Sequence, residues 1–487
     1  MVKMAPRMRL SLMLAIATVI FFFYWAGSDT FNLPRWRSQS SWRGAGTAGQ
    51  DEHILKNLKL SRDVEYRRYC IDARQKSGLH RQKLVNVSVP LLTDARMDFT
   101  GDELGSDTLL PCQRTVRINV PKIDSASTDT SSLMLGVATT LKRIDESLSE
   151  FARWLAHTGS PLVVLLVDQP DLDATSAAIE RVRAKGESLG IPLIFAPYTG
   201  KSSDSEGLKN FALASVLQDA ILPTTKWFGL IDDDTFFVHL PSALRALLPY
   251  DSKLPYYVGA LTEGLTRVSH EGFKAWGGAG FFVSPPLMEM LASHSARCRK
   301  LDQGFGDLLW RDCILEITSP TVRLTQLAGL NQIDMWSDIS GLYESGLVPL
   351  LTVHHWKSWH YHPIPLAHTV VDITGPETFL QRYLFADELV LTNGFSVAAY
   401  PKGLPDLNIA ELTMVEDVGI TKAPGKLEFL GSLGRVRPAM KLGEEKIQWK
   451  FEFAAFGSNG RILRQFYVKR GRDGARDSVI EIDWRAV

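Results

Sequence analysis

The pattern of hydrophobic and polar residues after position 131 predicts strands that alternate with helices. Short apolar runs such as PLVVLLVD are typical of buried strands, and segments such as IDESLSEFARWLAHTG have the apolar spacing of amphipathic helices. This alternation predicts an α/β fold with a mainly parallel sheet. Because ligands bind beyond the carboxyl ends of such strands, the candidate site residues are those that follow them: Thr139, Thr140, Asp168, Asp232, Asp233 and Asp234.

A different pattern begins after residue 369. Segments such as KIQWKFEFAAFG and ILRQFYVKR alternate apolar and polar residues, which is typical of half-buried strands. We therefore predict an α/β domain over residues 131–404 and a β-rich accessory region over residues 405–487. Residues 28–130 are predicted to be a stem, rich in Gly and Ser at its start, followed by a region before the α/β domain that has no domain assigned.

The N-terminus has the pattern of a membrane anchor. Residues 10–27 carry no charge and follow Lys3, Arg7 and Arg9, and such a stretch can cross a bilayer core of about 30 Å as a helix. A cleaved signal peptide is the alternative, but bulky aromatics stand where cleavage favours small residues. We expect residues 1–9 to be cytoplasmic and residues 10–27 to be a signal anchor of a single-pass type II protein.

The four cysteines and one sequon agree with the secretory pathway. An even number of cysteines behind such an N-terminus predicts two disulfides. Pairing by proximity joins Cys70 to Cys112 and Cys298 to Cys313, although four cysteines allow three connectivities. Asn86 begins an Asn-Val-Ser glycosylation sequon. Lys+Arg and Asp+Glu are equal at 54 each. The chain therefore has no basic excess of the kind that would indicate a nucleic-acid partner.

The aspartate triplet after WFGLI predicts a cation site. In an extended segment Asp232 and Asp234 share one side while Asp233 points away. Paired carboxylates at the end of a parallel strand suit a hard divalent cation. A solvated acidic turn is the alternative interpretation.

Four segments, in order, resemble Fringe-like β-1,3-glycosyltransferases of the GT-A fold. WFGLIDDDTFF resembles the family's metal-binding D-x-D element, WGGAGFFVSPP its glycine-rich strand, DQGFGDLLWRDC its acidic motif, and TVHHWKSWHYHP its late histidine element. The resemblance spans roughly residues 131–363. It implies an inverting, metal-dependent transferase in the Golgi membrane, with a UDP-sugar donor and a glycan or glycoprotein acceptor.

The resemblance also implies roles for single residues. Asp234 would bind Mn²⁺ (or Mg²⁺) together with His354 or His355, and Asp232 or Asp233 would meet the ribose or the waters of the metal. Asp307 matches the family's catalytic base. Gly306 departs from the pattern, because the family often has a second acidic residue there, so Asp302 remains an alternative base. Helix capping is the structural alternative for Asp307.

The remaining implied residues surround the donor and the cleft. The glycine run would line the cleft and allow close approach of backbone to ligand, and Trp276 would either stack on a sugar or belong to the core. The cleft residues are Trp276, Gly277, Gly278 and Gly280, and the nucleotide-binding residues are Thr139, Thr140, Arg143, Asp168 and Asp233.

Two other functions fit part of the sequence. A non-catalytic lumenal protein that binds sugar nucleotides or glycans would keep the fold and lose turnover. A metal-dependent phosphohydrolase would use the aspartates for two ions, but it would need further histidine or carboxylate clusters, and His is scarce before residue 239.

Overall fold

The computed structural model describes residues 58–61, 63–93, 97–100, 111–122, 129–168, 176–415, 429–430, 433–457, 460–471 and 474–487. The predicted anchor at residues 10–27 lies outside these ranges. Within them, no helix is both long and apolar enough to span a bilayer.

The described residues form many short strands, as the frequent apolar runs predict. The strands are β1 (Asp63–Lys76), β2 (Val85–Val87), β3 (Met97–Thr100), β4 (Arg114–Pro121), β5 (Leu133–Thr139), β6 (Leu162–Leu166), β7 (Leu193–Pro197), β8 (Trp227–Leu230), β9 (Phe236–Phe237), β10 (Tyr257–Gly259), β11 (Phe281–Val283), β12 (Leu324–Gln326), β13 (Trp336–Ser337), β14 (Thr352–Val353), β15 (Arg382–Phe385), β16 (Val390–Thr392), β17 (Ser396–Ala399), β18 (Ala410–Leu412), β19 (Met414–Val415), β20 (Phe429–Leu430), β21 (Gly434–Pro438), β22 (Ile447–Phe456), β23 (Ile462–Lys469) and β24 (Asp477–Ala486).

The helices fall between residues 141 and 374. They are α1 (Leu141–Leu155), α2 (Ser176–Ser188), α3 (Glu206–Phe211), α4 (Leu213–Asp219), α5 (Leu240–Ala246), α6 (Leu265–Glu271), α7 (Pro285–Ser293), α8 (Ser295–Cys298), α9 (Gly306–Thr318), α10 (Ser340–Tyr343), α11 (Ile364–Ala367) and α12 (Val371–Thr374). Short 3₁₀ turns add Gly277–Ala279, Arg299–Leu301, His368–Val370 and Pro376–Thr378.

A seven-stranded sheet forms the α/β part, in the order β12-β10-β11-β8-β5-β6-β7. Strands β8, β5, β6 and β7 are parallel, and β11 runs antiparallel to both β8 and β10. Apolar side chains cover both faces: Leu135 and Val164 pack into one core cluster, and Met134 and Val163 into another. The predicted α/β order is therefore confirmed, and the carboxyl ends of β5, β6 and β8 meet at one edge.

A second, larger sheet joins the two ends of the described chain. Its order is β2-β15-β16-β17-β22-β23-β24-β1-β3, and β4 also pairs with β1. Strand β1 lies parallel to β24, with Val64 opposite Asp477 and Ala73 opposite Ala486. The predicted β-rich character of the C-terminal region is thus present in the structure.

The second sheet does not follow the predicted domain boundaries. Its strands β15 to β17 precede residue 405, and β1 to β4 belong to the region that the sequence left without a domain. The boundary at 404/405 therefore cuts through one sheet. Sequence pattern misses this arrangement because strand pairing across more than 300 residues leaves no local signal.

Two disulfides each join two neighbouring segments of the fold. Cys70 of β1 is bonded to Cys112, with 5.7 Å between the Cα atoms, and Cys298 to Cys313, with 5.0 Å. This is the pairing by proximity among the three connectivities. The first bond fastens the segment before β4 to β1, and the second fastens α8 to α9.

Candidate active site

The aspartate triplet lies in a turn directly after β8. Its backbone is fixed by Thr235, whose hydroxyl accepts a hydrogen bond from Asp232 N (2.9 Å) and donates one to Gly278 O (2.9 Å). Asp232 and Asp234 face His354, with 3.6 Å and 2.9 Å from their carboxylate oxygens to Nε2. Asp233 points the other way. The alternation expected of an extended segment therefore holds in this turn.

The two histidines reach Asp234 because β14 pairs with β9. Val353 lies opposite Phe236 in this antiparallel pair, so the residues after β14 come level with the triplet. The Nδ1 atom of His355 is 4.0 Å from Asp234 Oδ2. Ligand atoms of Asp234, His354 and His355 all lie within 4.8 Å of one another. Three side chains that the sequence singled out separately thus form one cluster.

The far nitrogen of each imidazole is hydrogen-bonded to an acceptor. His354 Nδ1 is 3.0 Å from the carbonyl of Gln332, so this nitrogen carries the proton and donates it. His355 Nε2 is 3.1 Å from the carboxylate of Asp334. These bonds direct the other nitrogen of each ring at Asp234, which is how metal-binding histidines are usually oriented.

Asp234 and His354 each stabilise the charged form of the other. Burial opposes ionisation of His354, but the neighbouring Asp234 carboxylate outweighs it and raises the pKa of His354 to about 9. Burial also opposes ionisation of Asp234, yet the charge and hydrogen bond of His354 hold the pKa of Asp234 below its usual range. Desolvation, aided by nearby carboxylates, raises the pKa of Asp232, although 46% of its side chain is exposed.

The residues present fit a divalent cation. A proton on His354 Nε2 now neutralises Asp234, and a cation at that position would take over the same role with two imidazoles and one or two carboxylates as ligands. The described residues contain one other group of possible ligands, formed by Cys70, Cys112 and Asp483. Its two cysteines are joined in a disulfide, which leaves the triplet cluster as the candidate metal centre of the described chain.

The predicted nucleotide-binding residues gather around the start of α1. Asp233 accepts hydrogen bonds from Thr139 Oγ1 (2.5 Å) and Arg143 Nη2 (2.6 Å). Thr140 caps α1 by accepting from Arg143 N (3.2 Å), and Asp168 accepts from Leu141 N (3.3 Å). All five predicted residues therefore lie at one edge of the sheet. The Arg143 side chain remains 63% exposed, so it is available to an anion.

The glycine run passes between the cluster and Asp307. A Cβ at Gly277 would lie 2.6 Å from Asp307 Oδ1, and a Cβ at Gly278 would lie 2.0 Å from a ring carbon of His354. Neither position has room for a side chain. Gly280 has φ +81°, a conformation that glycine adopts without strain. The two absent side chains let the carboxylate and the imidazole approach the same turn from opposite directions.

Asp307 stands in the first turn of α9, and its carboxylate lies beside Gly277. Its Oδ2 atom is 3.3 Å from Lys274 Nζ, and its side chain is 25% exposed. The N-cap position of the helix belongs to Phe305. Lys274 is almost fully buried, and its ammonium also contacts Glu271 at 2.9 Å. The ion pair fixes the direction in which Asp307 points.

The structure explains why residue 306 is a glycine and shows what Asp302 does. A Cβ at Gly306 would lie 2.9 Å from the side chain of Asn210, which is held by Trp310 Nε1 (2.8 Å). An acidic residue at 306 therefore has no room. Asp302 accepts hydrogen bonds from Ser205 Oγ (2.7 Å) and Gly304 N (3.0 Å). Both carboxylate oxygens of Asp302 are thus engaged in holding a loop.

Trp276 is a core residue, which was one of the two alternatives that the sequence allowed. Its side chain is 3% exposed, and the Lys274 ammonium is 3.7 Å from the centre of the ring. The structure adds Lys274, Gln332 and Asp334, which orient Asp307 and the two histidines. Lys274 is close to the glycine run in sequence, but Gln332 and Asp334 carry no motif that would have revealed them.

No curated protein matches the sequence significantly. A family profile described as a protein of unknown function, DUF604, matches residues 267–370, a minority of the chain that includes Asp307 and both histidines.

Several solved structures resemble part of the chain. A mannosyltransferase from Pyrobaculum calidifontis in complex with GDP-mannose and Mn²⁺ is 14% identical over 41% of this chain, with a TM-score of 0.28, and the match spans about half (55%) of the mannosyltransferase. Mouse xyloside xylosyltransferase 1 is 11% identical over 39% of this chain and 84% of its own, with a TM-score of 0.25. A 4-diphosphocytidyl-2C-methyl-D-erythritol synthase from Anaerococcus prevotii is 9% identical over 42% and 90%, with a TM-score of 0.26. Identities and TM-scores this low establish no shared activity.

Proposed function

We propose that the protein is a metal-dependent inverting glycosyltransferase that moves a sugar from a UDP-sugar to a hydroxyl of a glycan or glycoprotein, in a β-1,3 linkage. One observation carries the proposal. The turn Gly277–Gly278, which has no side chains, contacts two groups. One is the carboxylate–imidazole cluster suited to a cation, and the other is the separate, partly exposed carboxylate of Asp307. The donor and the linkage rest on the sequence resemblance.

In this proposal Asp234, His354 and His355 hold Mn²⁺ or Mg²⁺, which supplies positive charge to the diphosphate leaving group. Arg143 is exposed at the same edge of the sheet and can donate to the nucleotide or its phosphates. Asp233, held by Thr139, keeps Arg143 oriented. These residues bind and orient the donor.

Asp307 acts on the acceptor. As the acceptor oxygen forms a bond to the anomeric carbon, the bond from that carbon to the diphosphate breaks, and the hydroxyl proton passes to the Asp307 carboxylate. Attack from the side opposite the leaving group inverts the anomeric centre. Lys274 holds the Asp307 carboxylate in position through their ion pair.

The decisive experiment measures nucleotide release by the purified chain from UDP-Gal, UDP-GlcNAc, UDP-Glc and UDP-GalNAc, with Mn²⁺ and with chelator. We expect release from one donor, with metal only, and its loss in Asp234→Ala. Asp219→Ala, an exposed position at the end of α4, is the matched control and should keep full release.

Calorimetric titration covers the case of slow hydrolysis. Metal-dependent binding of one donor without release still supports the proposal, provided that sugar transfer is seen once an acceptor is added. Binding without transfer to any acceptor favours a sugar-nucleotide-binding protein. If none of the four donors binds, the proposal is wrong.

A further inference from the structure

Two aromatic side chains stand unusually exposed beside Asp307. Phe273 is 69% exposed and Phe305 is 67% exposed. In the described part of the chain, the other aromatic side chains of comparable exposure are Tyr361 at 59% and Phe456 at 37%. Exposed phenyl rings that cluster at one place mark an interaction surface more often than single exposed apolar residues do.

The two rings belong to segments that are fastened together. Phe273 follows Gly272, which ends α6 with φ +76°. The next residue, Lys274, forms the ion pair with Asp307. Phe305 stands two positions before Asp307, at the start of α9. Each ring is therefore within two residues of the Lys274–Asp307 pair.

A second contact keeps this rim in place. Arg311 of α9 donates a hydrogen bond from Nη1 to the carbonyl of Glu271, at the end of α6. Lys274 also contacts the Glu271 carboxylate. The rings are thus presented by a junction of α6 and α9 that also carries the Lys274–Asp307 ion pair.

The chemistry of this rim points to one class of ligand. Besides two apolar rings it offers two partly exposed carboxylates, Asp307 at 25% and Glu271 at 30%. A sugar ring has an apolar face of C–H groups and an edge of hydroxyls, so it can cover a phenyl ring while its hydroxyls donate to carboxylates. A lipid chain would remove water from the exposed parts of these carboxylates and offer no hydrogen-bond donor in its place, at high cost.

We propose that Phe273 and Phe305 form the walls of the acceptor subsite and that the acceptor is a carbohydrate, bound by ring stacking with a hydroxyl directed at Asp307. The inference rests on the proposed function, because Asp307 is taken as the base. It narrows the acceptor group to a sugar ring and adds the two side chains that recognise it.

The test uses the purified full chain on an array of oligosaccharides that end in galactose, N-acetylglucosamine, glucose or mannose, in the presence of UDP and Mn²⁺. We expect at least one glycan to bind. Phe273→Ala and Phe305→Ala should each weaken binding by about tenfold, the loss expected for one apolar ring contact. Phe456→Ala is the matched control and should bind like the unchanged chain.

A second readout separates recognition from folding and from donor chemistry. Donor hydrolysis without acceptor should change less than about twofold in both variants, because neither ring lies at the candidate metal centre. Glycan binding that is unaltered by both substitutions overturns the inference, and so does an array on which no glycan binds. If the unchanged chain binds no donor, the proposed function is contradicted. Glycan binding that depends on the two rings would still support Phe273 and Phe305 as a glycan-binding subsite.

Discussion

His354 and His355 are neighbours in sequence but are oriented by different partners. The carbonyl of Gln332 fixes His354, and the carboxylate of Asp334 fixes His355. His355 adopts φ +54° and stacks on Trp359, with 3.7 Å between ring centres. This unusual backbone conformation lets two consecutive side chains face one carboxylate. Of the two rings, His354 lies closer to Asp234.

The raised pKa of His354 predicts a proton-linked metal affinity. Without metal, the protonated imidazole pairs with Asp234, and its stabilising effect is full below the unfolded pKa of about 6.5 and disappears as pH rises through about 9. A cation must displace this proton. Its affinity should therefore fall by about tenfold for each pH unit below 9.

Calorimetric titration of Mn²⁺ between about pH 6.5 and 8 in buffers of different ionisation enthalpy measures both the slope and the proton released. His354→Gln should bind weakly and lose most of the slope. An affinity that does not vary with pH in the unchanged chain would contradict the assignment of His354.

Matched substitutions can decide whether Asp307 or Asp302 is the catalytic base. Asp307→Asn keeps the shape of the side chain but cannot accept the proton, so transfer should fall by about 10²- to 10⁴-fold while donor binding stays. Asp302→Asn should keep transfer close to the original rate, because its carboxylate holds the loop at Ser205. Transfer rates and donor affinities of both variants decide the assignment, and full transfer by Asp307→Asn would exclude it as the base.

At the scale of elements, the 3₁₀ turn Gly277–Ala279 connects the two halves of the site. Thr235 binds it to the triplet, and Ala279 N donates to the Gln332 side chain (2.7 Å), whose carbonyl holds His354. The turn thus spaces the candidate metal centre from the candidate base. Its glycines are required by contacts on both sides.

Single alanine substitutions in this turn should have different effects. Gly278→Ala places a methyl group in the His354 ring and should weaken Mn²⁺ binding strongly. Gly277→Ala meets only the Asp307 carboxylate, so metal binding should persist while transfer falls. Metal affinity and transfer rate of the two variants provide the comparison, and circular dichroism checks that both are folded. Identical losses in the two variants would show that the turn acts only through general packing.

Sequence reasoning predicted the elements of the α/β part because each carries its own pattern. The strands β5 to β8 are continuous apolar runs, and the residues after them, such as Asp234, could be placed at one edge in advance. Gln332, Asp334 and Lys274 could not be predicted, because each acts through a partner that is distant in sequence or unmarked by a motif. Phe273 and Phe305 were not predicted because their exposure appears only after folding.

At the scale of the whole molecule, the second sheet makes the predicted catalytic region depend on strands that precede and follow it in sequence. Strand β17 pairs with β22, from Ser396 opposite Lys450 to Ala399 opposite Ile447. Lys446 is 1% exposed and bonds to Glu344 (2.5 Å) and Glu411 (2.9 Å), which ties residues on either side of the predicted boundary.

A fragment of residues 131–404 should therefore fail to fold stably. It keeps β15 to β17 but removes their partner β22 and exposes the apolar side chains of β17. We expect aggregation or a non-cooperative thermal transition, compared with a cooperative one for residues 58–487. Differential scanning calorimetry and limited proteolysis test this, and a monomeric fragment with a sharp transition would restore the boundary at 404/405.

The parallel pairing of β1 with β24 has a consequence for biosynthesis. Val64 finds its partner Asp477 only after about 410 further residues have been made. At about 5–20 residues per second, this interval lasts roughly 20–80 seconds. During translation the β24-facing edge of β1 therefore stays unpaired, and the sheet can close only after β24 has left the ribosome. Nascent chains that are released early should consequently be recognised by chaperones as incomplete, whatever the state of the α/β part.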